Sequence, residues 1–159
     1  MIDYETMRTV IVRGLKDYLK CAVIRSNQNS EPPAYPYGSY TVITLASQNN
    51  GTWQQHEDGK DRLAVTQTWS LSFLSDNNSE SVALASKARE WFSHSGVEYL
   101  NENGVIVQSV GSVSNRDNIL SVEYEYNNGF DVVFWLYDVA DSLTQINGYI
   151  DNAELNGGT

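Results

Sequence analysis

The chain contains few of the residues from which catalytic and metal sites are most often built. Its 159 residues include one cysteine, Cys21, and two histidines, His56 and His94. A single cysteine cannot form an intramolecular disulfide, so the sequence does not indicate an oxidising compartment. No glycine-rich phosphate loop, zinc-ligand spacing or nucleophile motif accompanies the histidines. The sequence therefore predicts no enzyme: no catalytic residue, no cofactor and no metal ion.

Positive charge is scarce and unevenly distributed. Ten Lys and Arg residues stand against twenty Asp and Glu, which gives a formal net charge of −10. Residues 1–25 carry five basic groups, whereas no Lys or Arg follows Arg116 and eight carboxylates do. This balance disfavours nucleic-acid binding through a basic patch. It is compatible with self-association between unlike surfaces, or with a surface that repels a polyanion.

Long apolar runs are also absent. No stretch approaches the ~20 apolar residues that span a bilayer, and the first ten residues, MIDYETMRTV, lack the charged-then-apolar pattern of a secretion signal. We therefore expect a protein of the reducing cytosol in which it is made, with no membrane partner. The length and the 41% hydrophobic content are sufficient for one domain with a real core.

Hydrophobic periodicity predicts an α+β fold. Residues 3–20 have helical spacing with Asp3 as N-cap, and residues 78–95 form a second helix that begins with a capping box and ends at Gly96. The predicted strands cover 22–26, 39–47, 65–75, 104–113 and two arms within 118–138. The expected order is α-β-β-β-α-β-β-β: an antiparallel or mixed sheet of five to six strands with both helices mainly on one face. This domain covers residues 1–138, and residues 139–159 form a C-terminal tail, either frayed or docked on a neighbour.

The segment SVEYEYNNGFDVVFWLYD, residues 121–138, predicts a β-hairpin closed by Asn128-Gly129. Its outgoing strand is apolar on both faces. Val133, Trp135 and Tyr137 form one face, and the other consists of Phe130, Val132, Phe134 and Leu136.

The sequence leaves three covers open for this second face: the chain's own helices, another subunit or a ligand. Leaving four such side chains in water would forfeit about 6–12 kcal/mol, at roughly 1.5–3 kcal/mol each. Because both helices are expected on one side of the sheet, another subunit is favoured. We therefore predict an oligomer interface at Phe130, Val132, Phe134 and Leu136.

Six segments, in order along the chain, resemble the neck or tail-terminator proteins of long-tailed bacteriophages and prophages. They are MRTVIVRGLKDYLKCAVIRSNQN, PYGSYTVITL, QTWSLSFLSD, SVALASKAREWF, VIVQSVGSVSNRDNIL and YEYNNGFDVVFWLYD. The resemblance covers residues 1–138 and brings no catalytic residues. It implies a structural virion protein whose copies assemble into a ring, a hexamer, that caps the tail tube and joins it to the head connector. It also implies synthesis in the cytoplasm of the bacterial host, and a final location at the junction of head and tail.

Such rings enclose a channel through which DNA passes without specific binding, and they commonly line it with acidic groups. We expect Glu123 and Glu125, which share one strand face, to line this channel. The polar segment 48–62 is longer than a tight hairpin needs, and we expect it to dock on the tube or connector protein. Its candidate contacts are Trp53, His56, Asp58 and Lys60.

Two alternatives from other classes stay open at this point. One is a monomeric module that binds a small ligand or glycan through exposed Tyr and Trp side chains. The other is a small hydrolase that uses Glu123 or Glu125, although nothing in the sequence predicts the raised pKa that a general acid needs. The mass of the protein in solution separates a ring from both.

Overall fold

A computed structural model describes residues 1–48, 50–118 and 125–142. This part of the chain confirms the predicted α+β class, with helices packed against one face of a mixed, open, seven-stranded sheet. The helices are α1 (Tyr4–Leu19), α2 (Asn78–Glu90) and α3 (Val97–Glu102). The strands are β1 (Ala22–Arg25), β2 (Tyr37–Ser47), β3 (Gln54–Gln55), β4 (Lys60–Ser75), β5 (Ile106–Val110), β6 (Ser114–Asn115) and β7 (Tyr126–Asp141).

The sheet is built around two long central strands. Its order is β1-β2-β4-β7-β5, with β3 paired to β4 and β6 paired to β7. The β1–β2 pair is parallel and the remaining pairs are antiparallel. Strands β4 and β7, each of 16 residues, pair along their whole length without a register shift.

Helix α1 forms where the apolar spacing predicts it. Asp3 is the N-cap, since its Oδ1 accepts a hydrogen bond from the Thr6 backbone N–H at 3.1 Å. The helix ends at Lys20, which has left-handed backbone angles (φ 58°). A stripe of side chains one helical turn apart is buried against the sheet: Met7, Ile11, Leu15 and Leu19.

The second predicted helix covers the expected residues, but its last turn is π-helical and a third helix follows it. Helix α2 stops at Glu90, a π-helical turn spans Trp91–Ser95, and α3 begins after Gly96. A Cβ at Gly96 would lie 2.3 Å from Cε2 of Trp91. The helical segment ends at Gly96, as predicted, and the missing Cβ there also allows the indole of Trp91 to pack closely.

The start of α2 confirms the predicted N-cap and adds a residue to it. The Asn77 Oδ1 accepts from the Glu80 N–H at 3.2 Å. The Glu80 carboxylate accepts from the Ser75 hydroxyl at 2.6 Å, and Ser75 Oγ accepts from the Asn77 N–H at 3.0 Å. The capping box thus closes through Ser75, the last residue of β4, which ties the helix to the strand.

The prediction of a tight turn at Asn128-Gly129 is wrong. Both residues lie inside β7, with Asn128 opposite Phe73 and Gly129 opposite Ser72. A Cβ on Gly129 would lie 2.0 Å from the Leu71 carbonyl oxygen. Glycine is needed there for close approach of two backbones. The other predicted arm lies mostly outside the described residues, and the predicted domain boundary after residue 138 falls inside β7.

Gly129→Ala should therefore destabilise the subunit by about 1–3 kcal/mol, because the atoms that must move belong to the backbone of β4. Chemical denaturation measures the free energy of unfolding. Gly51→Ala is the matched control, since its added Cβ would meet the Ala64 carbonyl oxygen at 3.4 Å. Equal stability of the two variants would contradict the close approach at Gly129.

Candidate functional site

The side chains predicted to contact a second subunit form the core of this one. Phe130, Val132 and Phe134 have no exposed surface, and Leu136 packs partly buried against the same cluster. The ring of Phe134 meets Trp69 and Phe92 edge-on, at centroid distances of 5.8 and 5.9 Å. The predicted interface at these residues is therefore wrong, because the chain's own helices cover this face of β7.

The opposite face of β7 is the one that no helix covers in the described part of the chain. It carries Val133, Trp135 and Tyr137. Tyr137 is 46% exposed, and its ring meets the half-buried Trp135 edge-on at 4.6 Å. Beside Trp135 on β5 lies Ile106, which is 44% exposed. The strand is apolar on two sides, as the sequence indicated, but the uncovered side is the reverse of the predicted one.

Hydroxyl groups occupy most of the same helix-free face on β4. They belong to Thr66, Thr68, Ser70 and Ser72, which alternate with buried core residues. The guanidinium of Arg116 reaches this face, where it donates to Ser70 Oγ at 2.5 Å and to Asp131 Oδ1 at 3.0 Å. The Asp131 carboxylate thus balances the charge of this guanidinium.

Large apolar side chains are also exposed at the two lateral edges of the sheet. Strand β1 covers β2 only as far as Tyr40. Beyond that point Ile43 is 58% exposed and Leu45 53% exposed. We call residues 41–47 the β2 edge. At the other side of the sheet, β5 is the last strand of the order, and we call Ile106–Val110 the β5 edge.

A groove of about 340 Å³ opens beside the first residue of β5, between the first turn of α1 and the C-terminal part of β7. Met7 and Thr6 contribute from α1, and Trp135 and Tyr137 from β7. The amino group of Met1 pairs with Asp138 at 3.2 Å beside it. The groove combines two aromatic residues with polar groups, as the ligand-binding alternative requires.

Of the two predicted channel residues, Glu125 is described and Glu123 lies outside the described residues. Glu125 is half-buried, and its Oε2 accepts a hydrogen bond from the Tyr35 hydroxyl at 2.5 Å. The Tyr35 ring stacks on Tyr37 at a centroid distance of 5.8 Å. Burial, and secondarily the Glu125 charge, raises the pKa of Tyr37. Glu125 therefore lies beside the start of β2.

The predicted docking segment 48–62 is more ordered than a loop. Strand β3 pairs with the first residues of β4 and forms a hairpin whose turn ends at Gly59 (φ 76°). Trp53, just before the hairpin, is 44% exposed, and His56 in the turn is exposed. The β3–β4 hairpin thus places Trp53 and His56 at the surface, where a partner protein can reach them.

Two exposed ion pairs involve the other predicted docking residues. Asp58 accepts from Arg62 at 2.6 Å, and Lys60 donates to Asp141 at 2.5 Å. These hydrogen bonds hold the pKa of Asp58 and Asp141 below the usual range. Exposed pairs of this kind contribute little to stability, so their removal would leave the fold intact.

Residues suited to chemistry are not grouped in the described ranges. No three His, Cys, Asp or Glu side chains there lie close enough to hold a metal ion. Burial raises the pKa of the Cys21 thiol, the opposite of what an activated nucleophile needs. Of the helices among these residues, none has the length and apolar character to cross a bilayer.

A sequence profile described as "Phage neck terminator protein" matches residues 9–159, all but the first eight residues. The chain belongs to this family. Membership confirms the resemblance found in the sequence segments, and the match also includes residues 139–159, which that resemblance did not cover. No curated protein matches the chain.

As a phage neck terminator, the protein is a structural component of the virion neck and contacts other head and tail proteins. The surfaces available for such contacts in the described subunit are its helix-free face, the two sheet edges and the β3–β4 hairpin. A partner could contact each of these surfaces without any change in the core that Trp69, Phe92 and Phe134 form.

Two substitutions test which face of β7 is buried in the core and which is uncovered. Phe134→Ala should lower the free energy of unfolding by about 3–5 kcal/mol, because it leaves a cavity between Trp69 and Phe92. Tyr137→Ala, three residues along on the uncovered face, should change it by less than about 1 kcal/mol. Chemical denaturation of both variants provides the comparison; a stable Phe134→Ala subunit would restore this residue as an interface candidate.

Proposed function

We propose that copies of this neck terminator form a ring, a hexamer, that caps the tail tube and joins it to the head connector, without enzymatic activity. The observation that carries the proposal is the uncovered apolar group Ile106, Trp135 and Tyr137 on a subunit whose core is otherwise complete. Exposed apolar groups of this kind mark interaction sites. The family, which is a structural family of the phage neck, supplies the setting.

We propose that the ring encloses a channel for DNA and that Glu123 and Glu125 line it. The net charge of −10 supports a conduit that does not hold phosphates. The pairing of Arg116 with Asp131 supports the same interpretation, because it leaves this cation less available to a polyanion.

We also propose that the β3–β4 hairpin docks on the tube or connector protein through Trp53, His56, Asp58 and Lys60. The exposed indole of Trp53 and the position of the hairpin at the end of the sheet support this role.

Trp53→Ser should leave the subunit folded and reduce the number of joined particles. Normal joining by this variant would remove Trp53 from the docking surface.

The proposed function is tested by removing the chain from an assembling phage. Without it, electron microscopy should reveal heads and tails that do not join, and tails of uneven length. A wild-type copy supplied in trans should restore joined particles that contain the protein. Normal joined virions in the absence of the chain would overturn the proposal, as would restored virions from which the chain is missing.

The channel role of the carboxylates is tested by charge reversal. Glu123→Lys with Glu125→Lys should leave the subunit folded and the particles normal in appearance, but slow or stop DNA ejection, since lysines in the channel would bind phosphates. Tyr35→Phe is the matched control, because it removes the hydrogen bond to Glu125 and keeps the carboxylate. Unchanged ejection by the charge-reversed particles would place both residues outside the channel.

A further inference from the structure

We propose that neighbouring subunits join edge to edge, with the β2 edge of one copy adding to the β5 edge of the next copy as an antiparallel strand. The occupant of each edge is thus a second copy of this chain. The inference rests on the proposed ring and specifies which surfaces close it. Four features of the described residues support it: exposure, strand direction, height in the sheet and charge.

The first feature is the placement of exposed apolar side chains. Ile43 and Leu45 lie on the β2 edge, and Ile106 lies on the β5 edge, all more than two-fifths exposed. Open edges with apolar side chains are prone to pair with another chain, and natural proteins usually protect them. Because the two edges differ in sequence, their pairing is heterologous, which is the arrangement that builds a ring.

The second feature is the direction of the strands. Three antiparallel steps, from β2 to β4, from β4 to β7 and from β7 to β5, separate the two edges. Strand β5 therefore runs opposite to β2. If neighbouring copies have the same orientation along the ring axis, the β2 edge of one meets the β5 edge of the next in the antiparallel sense, the more stable kind of pair.

The third feature is that the two edges lie at the same height in the sheet. Two rows of paired residues cross it from edge to edge: Ser47–Thr66–Trp135–Ile106 and Thr44–Thr68–Val133–Ser109. The rows of one copy can therefore continue into those of the next without a step along the ring axis. Such a relation closes into a ring, whereas a step in height would produce a helical filament.

The fourth feature is charge. Residues 41–47 of β2 and strand β5 contain no charged residue. Natural proteins often protect an open edge with charged side chains, and neither of these two edge strands has that protection. An added strand therefore meets no like charge on either edge strand.

The proposal is tested by cross-linking within particles, where the protein is in its working assembly. The variant Leu45→Cys with Ile106→Cys, in a Cys21→Ala background, is supplied to a phage that lacks the chain. Isolated particles are treated with a short bis-maleimide and analysed by denaturing electrophoresis. We expect a ladder of covalent oligomers that ends at the full ring, because each copy contributes one cysteine to each of its two contacts.

Three controls make the result specific. Leu45→Cys alone and Ile106→Cys alone should give no ladder, since neither edge meets its own kind. Ile106→Cys with Val82→Cys should also give none. Val82 is 39% exposed, so its thiol would be accessible to the reagent, but it lies on α2 and belongs to neither edge. Dimers from either single variant would overturn the proposal in favour of a symmetric contact.

The outcomes separate this proposal from the proposed function. Particles that contain the double variant and give no ladder would overturn edge-to-edge pairing and leave the neck role standing. The same holds if the thiol introduced by Leu45→Cys links to another virion protein or to residues 143–159 of this chain, since a different occupant then covers the β2 edge. Joined virions that form without the chain would overturn the neck role itself.

Discussion

The pairing of β4 with β7 is the constraint on which the rest of the structure depends. The two strands run side by side for their full 16 residues without a bulge. This fixed register aligns Trp69, Phe130 and Phe134 on one face, where the helices bury them. It also aligns Trp135 and the hydroxyl side chains on the other face. Gly129 permits the close backbone approach that the register requires.

The sequence predicted what local chemistry decides. The helix at α1, its cap at Asp3, the strands at β1, β2 and β4 and the α+β class all follow from periodicity and capping. Periodicity also revealed that β7 is apolar on both faces, but it cannot say on which side of the sheet the helices pack. That choice depends on the tertiary positions of α1 and α2. The prediction therefore assigned the buried face of β7 to a partner subunit.

The remaining errors have a common physical cause, which is that the features concerned are decided by tertiary contacts. Gly129 was interpreted through backbone freedom, but it is required because the backbone of β4 leaves no room for a Cβ. The polar segment 48–62 was interpreted as a loop because β3 has two residues, too few for an alternation to appear. These features depend on contacts between residues distant in sequence, which a local pattern does not contain.

A complete core, together with exposed apolar side chains at the sheet edges, suits a subunit that must fold first and assemble later. Burial of Phe130 and Phe134 stabilises a single copy, so its fold does not wait for a neighbour. The β2 and β5 edges belong to the same rigid sheet, three strand spacings apart, or about 14 Å. Contact at one edge therefore fixes the direction in which the other edge points. Because identical copies make identical contacts, each added copy would meet the next at the same angle, and that angle would set the number of copies in a ring.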